Sequence, residues 1–365
     1  MTVGIGGGGG KLAYELDPQC TVVNVSEAEL RKLPTESRIL ATVHSARGQM
    51  RGSRKDPQIG RDAFLSVREE LLHLAQGELV FCSTGGGTGN GIASGLLAEL
   101  SGRDHVAPAE KTSFALILPY AKLEPAEFVD NTIAFLQGPL SEAIDSGNTG
   151  NIFLFSNRLK FETRSSEADY NRALVDTLIQ YRAIPRKGDE CRLLDGHIDY
   201  EDFALYSAKP YFNHYTSFAF NPEEGYEKQF QANLNPYLLP PENPIEALFL
   251  LEAPPNGAAT PFYDILEHYA KENVSPVFGV VENPQIEQYH LTVSVLYSRK
   301  PMELVEDFNQ VSHRHTQARV RKSLEQHVPL PRLQVNLESE AKRAGRQRGA
   351  ADEDVLKVLR RLGKL

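Results

Sequence analysis

The chain of 365 residues contains no tryptophan, three methionines and three cysteines. Cys20, Cys82 and Cys191 lie far apart and form no CxxC pair. That spacing excludes a disulfide framework and reads as reduced thiols in a cytoplasmic protein. No stretch approaches the roughly 18 consecutive apolar residues of a membrane span. A basic then apolar leader is also missing, so no secretory signal is expected. Positive charge is in short supply: 39 Lys and Arg face 48 Asp and Glu, a net charge of −9. Such a balance argues against broad nucleic-acid binding by the body of the protein. The remaining composition, 41% hydrophobic and 24% charged, is that of an ordinary globular chain. The length suits two domains or one large one with an unstapled core.

Short apolar runs alternate with helical patterns through the first half. Strands are expected at 21–23, 39–43, 78–82, 112–118 and 151–155, with helices at 63–76 and 91–100 between them. Strand–helix–strand alternation implies a parallel sheet covered on both faces, with ligands at the carboxyl ends of its strands. A second region, 211–297, shows strands at 217–220, 247–251, 277–281 and 291–297 and a helix at 260–271. Prolines at 236, 240, 241, 244, 254 and 255 mark its loops. The last 65 residues differ. Positions 300–326 read as a charged helix, and Pro329 and Pro331 break it. Positions 352–365 are amphipathic, inside a stretch from Ala341 to Leu365 with eight Lys or Arg against three acids. This tail is either a solvated helix or a detachable arm for an adaptor, DNA or a membrane surface.

Two glycine-rich segments carry the chemistry. The first, Gly4 to Gly10, offers backbone amides that can crowd an anion with no Cβ in the way, next to a helix N-terminus. Gly4-x-Gly6-x-x-Gly9 also fits a dinucleotide fingerprint, a weak signal by itself. A P-loop does not fit: Lys11 follows Gly10, but Ile5 stands where the first glycine belongs and Leu12 where Ser or Thr would hold magnesium. The second segment ends the apolar run Leu79-Val80-Phe81-Cys82 and reads Ser83-Thr84-Gly85-Gly86-Gly87-Thr88-Gly89-Asn90-Gly91. Regular elements flank it on both sides, so it reads as a second phosphate cradle to which Thr88 adds a hydroxyl.

GGGTGNG matches the tubulin signature, and the chain resembles the tubulin/FtsZ superfamily from about Met1 to Tyr297. Gly4 to Gly10 is similar to the first FtsZ nucleotide loop, and Asn24-Val25-Ser26 to its Asn-Thr-Asp. The stretch from Arg47-Gly48 to Asp56-Pro57-Gln58-Ile59-Gly60-Arg61 is similar to the segment that follows. Leu118-Pro119-Tyr120 with Glu124 resembles the loop that meets the ribose, and Ser156-Asn157-Arg158 the loop near sugar and base. Phe278 to Val281 and Leu291 to Val295 resemble paired strands of the second domain. The extra C-terminal residues are similar to those of plasmid and phage relatives such as TubZ.

The resemblance implies an α/β fold. It would have a parallel-sheet, Rossmann-like GTPase domain (1–165), a central helix and catalytic loop (166–205), a smaller α+β domain (206–300) and a charged helical extension with a basic tail (301–365). It implies a GTP/GDP site at Gly6, Gly7, Gly8, Gly9, Lys11, Asn24, Gly85, Gly86, Gly87, Thr88, Gly89, Asn90, Glu124 and Asn157. An Mg2+ ion would be held without a side-chain cluster. Family spacing places the guanine reader at Asp176, with Tyr170 and Asn171 as alternatives for stacking and ribose or base contact. His197-Ile198-Asp199-Tyr200-Glu201-Asp202 is similar to the acidic loop that one FtsZ subunit presents to the nucleotide of the next. Asp199 and Asp202 are therefore the expected catalytic residues, and head-to-tail self-assembly into filaments the expected partnership. Without the resemblance the pair would read as a helix start favoured by the dipole.

The pattern departs from the family in two places. His197 replaces an asparagine, and Pro185 falls inside the long central helix, which is expected to be short or kinked there. These departures motivate an alternative: a nucleotide-binding scaffold or regulator without efficient hydrolysis. A Rossmann oxidoreductase would need an acid where this chain has Asn24, and would leave GGGTGNG without a purpose. His313-x-His315 has no cysteine or clustered carboxylate to complete a metal site.

Overall fold

The run Leu-Val-Phe-Cys at 79–82 has no polar alternation, and such a run is stable where both faces of a strand are covered. In the computed structural model, which describes residues 2–45, 48–298, 313, 314 and 317, it forms a buried inner strand. The strands in chain order are β1 (Thr2–Ile5), β2 (Thr21–Asn24), β3 (Arg38–Leu40), β4 (His44–Ser45), β5 (Gly48–Gln49), β6 (Leu79–Ser83), β7 (Thr112–Leu118), β8 (Thr149–Ser156), β9 (Arg192–Gly196), β10 (Phe212–Ala219), β11 (Pro244–Ala253), β12 (Val277–Glu282) and β13 (His290–Tyr297). The helices are α1 (Gly6–Leu16), α2 (Glu27–Leu30), α3 (Pro57–Phe64), α4 (Arg68–Ala75), α5 (Gly87–Ser101), α6 (Ala126–Gln137), α7 (Pro139–Ser146), α8 (Arg158–Glu162), α9 (Glu167–Arg182), α10 (Ile184–Glu190), α11 (Tyr200–Ser207), α12 (Tyr226–Ala232) and α13 (Phe262–Lys271).

Eleven strands form one sheet in the order β3-β2-β1-β6-β7-β8-β10-β13-β11-β12-β9, and β4 and β5 pair separately. The half from β3 to β8 is parallel. It joins the other half through a parallel pairing of β8 with β10 at Ile152 and Phe212. Beyond that seam β13 runs antiparallel to both β10 and β11, β12 parallel to β11, and β9 antiparallel to β12. Both regions expected from the sequence thus contribute to one continuous sheet.

Alternation along the inner strands sorts side chains onto two faces. Val80 and Cys82 of β6 and Phe114, Leu116 and Leu118 of β7 join the core under α5, with Ile92, Leu96 and Leu97. Phe81, Ala115, Ile117, Phe153 and Phe155 point the other way, under α1 and α9, against Leu12, Leu174 and Leu178. A third cluster lies under α12 and α13, where Phe249, Leu251 and Val293 meet Phe230, Phe262 and Ile265.

Several elements differ from the sequence reading. The single helix expected at 63–76 is two, α3 and α4, and Leu65 between them is 70% exposed. Asp56 caps α3 by accepting from the Gln58 N–H at 2.9 Å, and Pro57 occupies its first turn, a start signal the reading missed. Both glycine segments prove to be first helical turns, α1 beginning at Gly6 and α5 at Gly87. β1 and β9 had no sequence forecast: β1 is only four residues long, and β9 is a mostly exposed edge strand. The central helix ends at Arg182, and Pro185 lies in the first turn of α10, where its missing N–H costs no helix bond. Apart from residues 313, 314 and 317, the extension at 300–326 lies outside the described residues, as do the amphipathic stretch at 352–365 and His315.

Candidate functional site

A cavity of about 510 Å3 opens at the carboxyl ends of the central parallel strands. Ile5 to Gly8, Asn24, Ser83, Gly86 to Gly89 and Ile117 line it, all at the carboxyl ends of β1, β2, β6 or β7 or just beyond them. The two glycine turns touch beneath it. Gly6 has a left-handed φ of 73°, and a Cβ there would stand 2.9 Å from the Gly89 nitrogen. Only glycine permits both the dihedral and the approach. Neither α1 nor α5 has a side-chain cap or an acid in its first turn, whereas Ser26, Asp56, Ser166 and Asp199 cap α2, α3, α9 and α11. Two sets of first-turn N–H groups and two dipole ends therefore face the cavity, an arrangement suited to a polyphosphate.

The other end of the cavity is carboxylate and amide. Glu124 accepts from the Tyr120 N–H at 2.6 Å and from Asn157 Nδ2 at 3.2 Å. Burial pushes its carboxyl above the ordinary range, against those bonds and the charge of Lys160. An acceptor so placed suits sugar hydroxyls. Tyr170 and Asn171 enter the lining from the start of α9. Tyr170 is 4% exposed; its hydroxyl donates to Ser156 O at 2.6 Å and its ring meets Tyr237 edge-on. It fixes α9 against the end of β8. The Asn171 carboxamide, with one acceptor and two donors, can pair with a purine edge.

Of the residues expected at the site, Gly6, Gly7, Gly8, Asn24, Gly86, Gly87, Thr88, Gly89, Glu124, Asn157, Tyr170 and Asn171 line the cavity. Five lie outside it. Gly9 is buried on the sheet-facing side of α1, where a Cβ would collide with Phe81 O, and Gly85 abuts the Phe128 side chain. Lys11 Nζ pairs with Glu167 at 2.7 Å. Asn90 is buried, and its amide donates to Thr84 O at 2.5 Å and Asn131 O at 3.0 Å, so it ties the glycine turn to α6. Asp176 is exposed, five residues beyond Asn171 and about 7.5 Å along α9 at 1.5 Å per residue. A five-residue step also turns it to another face of the helix, away from the lining.

The cavity adds residues that sequence reasoning missed. Glu29 accepts from Asn24 Nδ2 at 2.8 Å and stands 3.0 Å from where a Gly7 Cβ would lie. Arg51, Arg54 and Lys55 also line the cavity. Three cations in five residues just before the Asp56-Pro57 helix start were the available signal.

Asp199 and Asp202 are at the opposite end of the sheet. Tyr200, between them, shares a second cavity of about 370 Å3 with Thr2, at the entry of β1, and Leu16, at the end of α1. The eleven residues of α1 alone span about 16 Å. Asp199 Oδ1 caps α11 by accepting from the Asp202 N–H at 2.7 Å, and His197 Nε2 lies 3.4 Å from Asp189 Oδ1. Among the described residues no three His, Cys, Asp or Glu gather as metal ligands, and no helix is long and apolar enough to cross a membrane.

No protein-family model matches the chain, and no curated protein matches it in sequence. Solved structures do. A GTPγS-form protofilament of TubZ from Bacillus thuringiensis serovar israelensis is 16% identical, with 87% of this chain and 93% of that one covered at a TM-score of 0.69. A GTPγS-bound protofilament of CetZ2 from Haloferax volcanii is 20% identical, covering 88% and 100% at a TM-score of 0.63. An empty FtsZ dimer from M. jannaschii is 17% identical, covering 81% and 86% at a TM-score of 0.57. The chain has the fold common to these proteins.

Proposed function

We propose, from this tubulin/FtsZ fold, that the chain binds and hydrolyses GTP and assembles head-to-tail into filaments. In this reading the acidic turn of one subunit completes the site of the next. The observation that carries it is the separation within one protomer. The glycine turns lie at the carboxyl end of β1, and Tyr200 lies beside Thr2 at its entry. Asp199 and Asp202 therefore act on the nucleotide of another copy. Stacking copies along this axis brings the two ends together, and a repeated contact that does not close forms a filament. Their carboxylates would orient or deprotonate the attacking water.

The first turns of α1 and α5 would hold the phosphates, Glu124 and Asn157 the ribose, and Asn171 the guanine edge. An Mg2+ ion bound mainly by phosphate oxygens and water needs only one or two protein ligands. Glu29 and the Thr88 hydroxyl, both on the cavity lining, fit that requirement. The ion would neutralise charge on the phosphates. The basic tail would recruit an adaptor, DNA or a membrane surface, and the setting would be cytoplasmic.

One observation favours a second reading, a nucleotide-binding scaffold without turnover: Asp199 is already occupied as the α11 cap. GTP turnover measured over a protein concentration series separates the two. Turnover that rises cooperatively above a threshold, and drops more than tenfold in Asp202→Ala without loss of nucleotide affinity, supports the first. Bound nucleotide with no turnover at any concentration overturns hydrolysis and leaves the scaffold.

A further inference from the structure

The loop before α3 carries Arg51, Arg54 and Lys55 into the cavity, although nothing in the glycine signature calls for side-chain charge. The loop is fastened to the second glycine turn. Thr88 Oγ1 donates to Ser53 Oγ at 3.0 Å. Asn131 Nδ2 donates both to Lys55 O at 3.0 Å and to Gly85 O at 2.9 Å. A Cβ on Gly87 would fall 2.6 Å from the Asp56 nitrogen. Arg54 and Lys55 both adopt left-handed backbone, with φ of 53° and 65°. Side chains with a Cβ disfavour that conformation, so these contacts hold the loop against its local preference.

Charge is unevenly distributed along the cavity. Glu124, Glu167 and Lys160 lie with Asn157 and Asn171 at the end under α8 and α9, and Glu29 stands beside Gly7. The three loop cations lie by α3 and α5, which pack on the opposite face of the sheet from α9. A nucleotide whose base is held by α9 and whose inner phosphates sit on the touching glycine turns points its last phosphate toward the cationic loop. Among the described residues Arg51 and Arg54 form no ion pair, whereas Lys55 Nζ lies 3.8 Å from Glu127 and over the Phe128 ring.

We propose that Arg51, Arg54 and Lys55 form a cationic clamp in cis for the terminal phosphate of the bound nucleoside triphosphate. Glu127 holds Lys55 aside when that phosphate is missing. The clamp rests on the nucleotide reading above and deepens it. It makes the protein tell triphosphate from diphosphate by side-chain charge, and guanidinium groups suit phosphate recognition because their donors match its oxygens.

The test is equilibrium binding of GTPγS and of GDP to the full chain and to Arg54→Gln, Arg51→Gln and Lys55→Gln variants. All three side chains are exposed, so folding is preserved, and the unfolding temperature checks it. The expected result is a wild-type preference for GTPγS. Each substitution then costs GTPγS affinity on the order of tenfold, leaves GDP within about twofold, and flattens the salt dependence of GTPγS binding. Equal losses for both nucleotides, or none for either, overturn the clamp alone. A wild type that binds neither nucleotide overturns the guanine-nucleotide reading together with the clamp.

Discussion

Gly9 and Glu124 show how differently single residues serve one cavity. Gly9 never reaches the ligand space, yet its missing side chain lets α1 lie on the Phe81 backbone, with Cys82 Cα 3.0 Å from where a Cβ would be. Gly9→Ala should destabilise the protein by about 2 kcal/mol or more through overpacking against rigid backbone. Urea denaturation measures it, and an unchanged midpoint would show that α1 shifts freely. Glu124 is the opposite case, a half-buried carboxyl whose proton affinity burial raises. The folded state holds that proton more tightly than the unfolded chain. Its contribution is therefore favourable in acid and is lost as pH rises through the folded value. Glu124→Gln should unfold at the same or a higher temperature at neutral pH while binding nucleotide on the order of tenfold more weakly, from the lost hydroxyl acceptor. Calorimetry reads both effects, and tighter binding would contradict the sugar-end assignment.

At the scale of elements, the break in the central helix divides its duties. α9 packs its buried Tyr170, Leu174 and Leu178 over the parallel half of the sheet. α10 is fastened to the other half by Lys187, whose Nζ meets Glu252 Oε1 at 2.6 Å, while Asn283 Nδ2 donates to Oε2 at 2.6 Å. Glu252 is 1% exposed. Lys187→Met leaves an uncompensated buried charge and should cost about 3 kcal/mol, whereas K187M/E252Q should recover much of that loss. Chemical denaturation of the single and double variants measures the coupling, and additive losses would mean the pair does not anchor α10. Pro185 was a legible marker of the break, because proline belongs to a first helical turn. The capped start at Asp56-Pro57 is equally legible, but apolar spacing in the following residues resembles one longer helix.

For the whole molecule, the seam between the parallel and antiparallel halves decides integrity. His214 of β10 is fully buried there, its Nδ1 2.7 Å from Leu239 O and its Nε2 accepting from the Asn235 N–H at 3.3 Å. That pattern requires a neutral ring, and burial pushes its pKa down from 6.5 to about 4. The unfolded chain takes up the proton first, so stability present above the unfolded value is lost as pH falls toward the folded one. Between pH 7 and pH 5 the protein should lose about 2 kcal/mol from this group. Urea titrations at the two pH values test it. His214→Gln should lower stability at pH 7 and flatten that dependence, and an unchanged slope would locate the acid sensitivity elsewhere.

The sequence by itself determined most of the parallel half, though not β1, and both glycine turns, whereas Glu124, Asn157, Tyr170 and Asn171 were singled out by the family resemblance and line the cavity. Buried parallel strands and close backbone approach leave marks in apolar runs and glycine spacing that need no distant partner to interpret. Tertiary structure alone decided that the second region extends the same sheet, because the β8–β10 seam is a pairing between strands more than fifty residues apart. It also decided that Asn90 and Lys11 serve neighbouring helices, that Asp176 turns away, and that three cations from the loop before α3 enter the cavity. Residue type records what a side chain can do. Which polar group faces the ligand and which faces the core depends on the face of the sheet its helix covers, and only the packed chain fixes that.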